Sequence, residues 1–143
     1  MAGNNKADLE AAFRKAVSDF NSVTPANYVG GLQSDLDPHV KMKRIDDPSK
    51  YYDEDQKTNG VPQVSNYFLN GNGSRDHATF TPDEPPEFQI VGSTGFASGK
   101  GTFADKPGSP NRYIAYSFAF AFSNAGGGSW KAILLWGRDK KDI

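Results

Sequence analysis

Few residues in this chain are of a type that does acid–base chemistry. Asp47, followed by Pro48 in the charged stretch 46–59, would act as a general base if burial beside an apolar substrate raised its pKa. An aspartate opening a turn before proline is the structural alternative. The histidines are His39 and His77. His77, beside Asp76, would move protons in a dehydration if it faced a pocket with an acid behind it, whereas a surface position is the default for both. Arg44 points inward on an otherwise apolar strand face and would hold a ligand carboxylate, or pair with Asp46 at the rim.

Other constellations fail on spacing. Two histidines without a spaced carboxylate make no convincing metal site, and 0 Cys removes thiolate nucleophiles, disulfides and cysteine zinc sites together. Asp53, Glu54 and Asp55 lack the glycine and distal glutamate of a calcium loop, so they read as a solvated charge run. Residues 94–101 superficially resemble a phosphate loop. Its leading glycine is misplaced, Gly101 stands where a magnesium-binding hydroxyl is needed, and a strand follows rather than a helix. No cofactor is expected.

The elements that must position these groups follow from periodicity. Leu9, Phe13, Ala16, Val17 and Phe20 recur at helical spacing, predicting a helix over 5–22 with Asn5 as its cap. Thr24 and Pro25 open a second, short helix with Tyr28, Val29 and Leu32 on its buried face. Residues 40–45 alternate as a strand, with Val40, Met42 and Arg44 on one face. A third helix starts at Gly60, Val61 and Pro62 and carries Val64, Tyr67 and Phe68. Beyond residue 76 the period becomes two, predicting strands at 77–81, 87–91, 95–103, 112–123 and 129–138. Short connections make them an antiparallel meander.

The stretch 112–123 is the most informative. Ile114, Tyr116, Phe118, Phe120 and Phe122 face one way, and Ala115, Ser117, Ala119 and Ala121 the other. In the next strand Trp130, Ala132, Leu134 and Trp136 share one side, with Ile133 and Leu135 opposite. Two adjacent strands apolar on both faces need cover on both. The helices supply one cover, and a second subunit is the candidate for the other.

Composition narrows the function classes. With 16 basic and 17 acidic residues spread along the chain, no basic stripe for nucleic acid is visible. No window reaches the apolar length of a membrane span. The polar start, without a signal-type apolar core after it, gives the expectation of a cytoplasmic protein. At 143 residues the chain fits one domain.

Leu9, Glu10, Ala11, Ala12 and Phe13 with Phe20 and Asn21 form one recognisable group. Asp37, Pro38, His39, Val40, Lys41 and Met42 form a second, Gly60, Val64, Tyr67 and Phe68 a third. Gly128, Ser129, Trp130, Lys131, Ala132 and Ile133 close the pattern. In that order they resemble the nuclear transport factor two-like superfamily, most closely its SnoaL-like and ketosteroid-isomerase-like branch. The resemblance implies one α+β domain over residues 1–143, with three N-terminal helices on a strongly curved, mostly antiparallel, cone-like sheet. It also implies a pocket for small hydrophobic molecules and pairing as homodimers through the sheet. Of the isomerase set only the aspartate-proline is matched, by Asp47 and Pro48. Phe13 stands near the position of the helix-one tyrosine, and neither long final strand carries an internal acid.

These residues lead to three readings. The first is a non-catalytic pocket for a small apolar or weakly acidic molecule, contacted by Tyr28, Met42, Arg44, Tyr116 and Trp136. The second is an acid–base isomerase, dehydratase or polyketide cyclase using Asp47 or His77. The third is a dimeric assembly module that works through its apolar sheet face.

Overall fold

The computed structural model describes residues 3–22, 33–42, 79–104 and 111–139, with the backbone alone for His39, Lys41, Met42 and residues 136–139. Within them one helix, α1 (Lys6–Ser22), lies on a strongly curved six-stranded sheet. The strands are β1 (Leu36–Met42), β2 (Thr79–Pro82), β3 (Glu87–Val91), β4 (Thr94–Ala104), β5 (Arg112–Ser123) and β6 (Ser129–Asp139). The fold class is α+β, as the sequence predicts. The second and third expected helices lie outside the described residues.

The start of α1 is built by two short side chains. Asn5 Oδ1 accepts the backbone N–H of Asp8 at 2.9 Å, while Asp8 Oδ2 accepts from Gly3 N–H at 2.6 Å and from Asn5 Nδ2 at 3.0 Å. Three N-terminal donors are thus satisfied reciprocally. The predicted stripe is the one buried: Leu9, Phe13 and Phe20 face the sheet. Each such burial contributes about 1.5–3 kcal/mol.

The sheet order is β1-β6-β5-β4-β2, with β3 also on β4. All pairings are antiparallel except β1 with β6, which is parallel. The expected meander therefore needs correcting at β2. That strand pairs with residues 101–104 of β4, and β3 pairs with residues 94–98 of the same strand. At 11 residues β4 is long enough to hold both along one edge.

Register puts the large residues of β5 opposite small ones on β4: Phe120 on Gly95, Phe118 on Ala97, Tyr116 on Gly99 and Ile114 on Gly101. The lane of small side chains lets the rings and α1 sink onto the sheet. At Gly101 the fit is tightest, for an added Cβ would lie 2.5 Å from the Thr81 carbonyl oxygen.

Strict alternation fails in β6. Ala119 pairs with Leu134 but Phe120 pairs with Ala132, so Ile133 is an extra residue in the ladder. After this bulge Leu135, not Leu134, joins Trp130 and Ala132 in the core. The concave face holds that core under α1. The convex face carries Ala115, Ser117, Ala119 and Ala121, with Phe96 across from Ala119.

Candidate functional site

Phe13 on α1 stacks on Tyr116 with centroids 5.8 Å apart and planes at 10°. Phe80 of β2 meets the same ring edge-on at 5.1 Å, and Phe118 lies tilted against it at 5.1 Å. Phe88 closes the group edge-on to Phe13 at 5.7 Å. Edge-on and offset contacts suit the ring quadrupoles, so five rings from α1, β2, β3 and β5 form one rigid cluster.

Tyr116 carries the one polar atom of that cluster. Its side chain is 2% exposed, and its hydroxyl is buried without a hydrogen-bond partner. Gly99 opposite makes room for it, since an added Cβ there would sit 3.2 Å from the hydroxyl oxygen. Burial pushes the phenol up to about 12, with the negative charge of Glu84 adding, Arg14 opposing and Asp83 adding a little. At neutral pH the group is therefore a protonated donor and not a base.

The acids that influence Tyr116 already have partners. Arg14 Nη2 donates to Glu84 Oε1 at 2.6 Å and to Glu10 Oε2 at 3.1 Å, which holds Glu84 below the usual carboxylate range. Tyr113 donates its hydroxyl to Asp83 Oδ2 at 2.7 Å. Neither carboxylate is placed to exchange a proton with Tyr116. A shallow open cleft of about 350 Å³ is lined by Asp83, Pro85, Glu87, Ser98, Gly99, Lys100 and Ala115. Its mixed charges lie on the convex register of β3, β4 and β5 and give no apolar enclosure of the kind small-molecule pockets use.

Of the residues singled out from sequence, Tyr116 is placed at the centre of the ring cluster. Met42 lies at the end of β1 opposite Leu135, and Trp136 lies in β6 opposite Ser117, whereas Tyr116 pairs with Gly137. Tyr28, Arg44, Asp47 and His77 lie outside the described residues. Among the described residues no group of three or more His, Cys, Asp or Glu side chains could hold a metal ion.

Two arrangements were not read from the sequence. Asn21 donates Nδ2–H to the Phe80 carbonyl at 2.8 Å and accepts the Phe80 N–H on Oδ1 at 2.7 Å. Asp35, directly before β1, is buried and carries an ion pair with Lys15. A loop aspartate between Ser34 and Leu36 gives no sequence signal of burial.

No family model matches the sequence, and neither does any curated protein. Solved structures do match. A nuclear transport factor 2-like superfamily protein from Salmonella enterica superposes with a TM-score of 0.66 at 12% identity, over 93% of this chain and 89% of that one. A candidate dehydratase of the same family from Streptomyces avermitilis gives 0.65 at 10% identity, over 93% and 94%. A candidate ketosteroid isomerase from Shewanella frigidimarina gives 0.62 at 12% identity, over 96% and 98%. No helix among the described residues is long and apolar enough to cross a membrane. Curved sheet, helix across its concave face and whole-chain superposition agree: the chain has the nuclear transport factor 2-like, cystatin-like fold.

Proposed function

We propose that the chain binds a small apolar or weakly acidic molecule on the concave side of its sheet, without catalysing its conversion. The observation that carries this reading is the Tyr116 hydroxyl, a buried donor with no partner in a wall of rings. An unsatisfied buried hydroxyl costs about 1–3 kcal/mol, and a ligand carbonyl or carboxylate oxygen would recover that cost. The rings supply apolar area, and the hydroxyl supplies one directional contact. Tyr28, Met42 and Arg44 are the further contacts proposed, with Arg44 as partner of a weakly acidic ligand, whereas Trp136 takes the convex register opposite Ser117 and is left out of the concave site. Catalysis ranks second because Glu84 and Asp83, the acids that act on Tyr116, are held by Arg14 and Tyr113.

The convex face supports a second copy as partner. Val91 and Tyr113, both 45% exposed or more, take the same face of the sheet as Phe96, Ala119 and Leu134. Light scattering at micromolar concentration should give the dimer mass, and a monomer throughout would remove this part.

The test of binding is titration with octanoate, acetophenone and anilinonaphthalene sulfonate, followed by fluorescence and thermal shift. Saturable binding is expected, weakened about tenfold in Tyr116→Phe by loss of one hydrogen bond. Absence of saturable binding by all three probes, or equal affinity in the variant, refutes the reading.

A further inference from the structure

We infer that Lys15, Asp19 and Asp35 form a latch between α1 and the start of β1 that is closed by a shared proton and loosens as pH rises. This latch is independent of the ring cluster and of any ligand.

Lys15 and Asp19 are one turn apart on α1, so they share a flank of the helix. Lys15 Nζ lies 2.7 Å from Asp19 Oδ2, 2.9 Å from Asp35 Oδ1 and 3.0 Å from Ser34 Oγ. An ammonium has three N–H donors, and these contacts use all of them. The Asp35 side chain is 4% exposed, and its Oδ2 is buried with no donor. Two carboxylates therefore share one ammonium, and the more deeply buried one has an oxygen that nothing solvates. A proton on Asp35, donated to Asp19, satisfies that oxygen and removes the surplus negative charge.

The electrostatics point the same way. Burial, then the neighbouring Asp19 carboxylate, pushes Asp35 up to about 7 against the opposing pull of Lys15. Asp19 is held down, chiefly by the neighbouring Asp35 carboxyl and also by Lys15, as befits the acceptor of that proton. Among the described residues the charged groups acting on Asp35 are Lys15 and Asp19, both from α1. From β6 comes the uncharged Ala132 N–H, which donates to the Asp35 carbonyl at 2.8 Å. Asp35 is thus fixed to the sheet through its backbone and to α1 through its side chain.

The linkage has a definite sign. Asp35 binds its proton more tightly folded than unfolded, so its contribution is complete below the ordinary carboxylate range and is lost as pH rises through about 7. Asp19, held low, stays ionised across that window and does not offset the loss.

The test compares urea unfolding of the wild type and Asp35→Asn from about pH 5 to about pH 8. Asparagine keeps an acceptor for Lys15 and a permanent donor for Asp19, so the latch stays closed in the variant. The wild-type folding constant should fall roughly fiftyfold relative to the variant between about pH 5 and about pH 7, close to tenfold per unit until the Asp35 midpoint is approached. Taking the difference cancels the histidines. Carboxyl carbon NMR of the wild type gives a second readout that needs no variant, with a midpoint for Asp35 near neutrality expected. Identical pH profiles for the two proteins, or an Asp35 midpoint near the ordinary value of about 4, overturn the proposal.

Discussion

Asn21→Ala probes how α1 is joined to the sheet. Among the described residues β2 pairs with β4 on one side only, and Phe80 presents an N–H and a C=O on the other. The Asn21 amide takes both, at 2.7 and 2.8 Å, in the manner of a neighbouring strand. Alanine removes two hydrogen bonds worth about 1 kcal/mol each and leaves two partly buried backbone groups unpaired. Its better helix propensity returns a few tenths, so the net loss should be about 2–3 kcal/mol. Urea unfolding monitored by circular dichroism measures it, read as a lower midpoint at unchanged slope. Hydrogen exchange at the Phe80 amide locates it. Asn21→Asp discriminates further, because it keeps the acceptor but sets a carboxylate oxygen against the Phe80 carbonyl. That variant should be no more stable than Asn21→Ala at neutral pH and should recover in acid, where the protonated carboxyl donates. A loss under about 0.5 kcal/mol for alanine, with Phe80 exchange unchanged, would refute the role given to this side chain.

Gly101→Ala should destabilise by about 1–3 kcal/mol in the same assay, because the new methyl meets the Thr81 backbone rather than a side chain that can turn away. Tyr116→Phe should leave the ligand-free protein as stable as the wild type or more so, by about 1 kcal/mol, since it deletes a buried hydroxyl without a partner; a clear loss on calorimetry would mean that the hydroxyl is satisfied. Glu84→Gln should leave stability unchanged within error at any salt concentration, because its pair with Arg14 is a solvent-exposed surface pair. Thermal unfolding in low and high salt checks this.

The sequence carried the fold further than the site. Helical spacing of Leu9, Phe13 and Phe20 named the buried stripe of α1, and period-two patterning gave the limits of β3 and β5 as the structure has them. Patterning could not show that β2 would lie on β4, because partner choice depends on strand length and the path of the chain. Nor could it show the extra residue at Ile133, since a bulge leaves both neighbours apolar and only register moves. Tyr116 was legible as a ring on the large face of β5, but its orphaned hydroxyl depends on Gly99 and Phe13, which are distant in sequence. Asn21 stood out only as part of a resemblance, and the structure supplies its physical reason. Nothing in the sequence marked Asp35, because burial of a charge leaves no periodic trace.

Trp130 gives the molecule an internal optical reporter. Its indole N–H donates to the Gly3 carbonyl at 3.1 Å, and its ring lies 5.1 Å from Phe122 with Leu9 and Gly95 alongside. The indole is 4% exposed, so its emission should be blue-shifted while the chain leading into α1 stays docked. Separation of that segment from the sheet would admit water and break the indole hydrogen bond together, giving a red shift that need not await global unfolding. With two tryptophans in the chain, a Trp136→Phe background would isolate this signal. The seam between the N-terminal segment and the sheet could then be followed in real time, without a label.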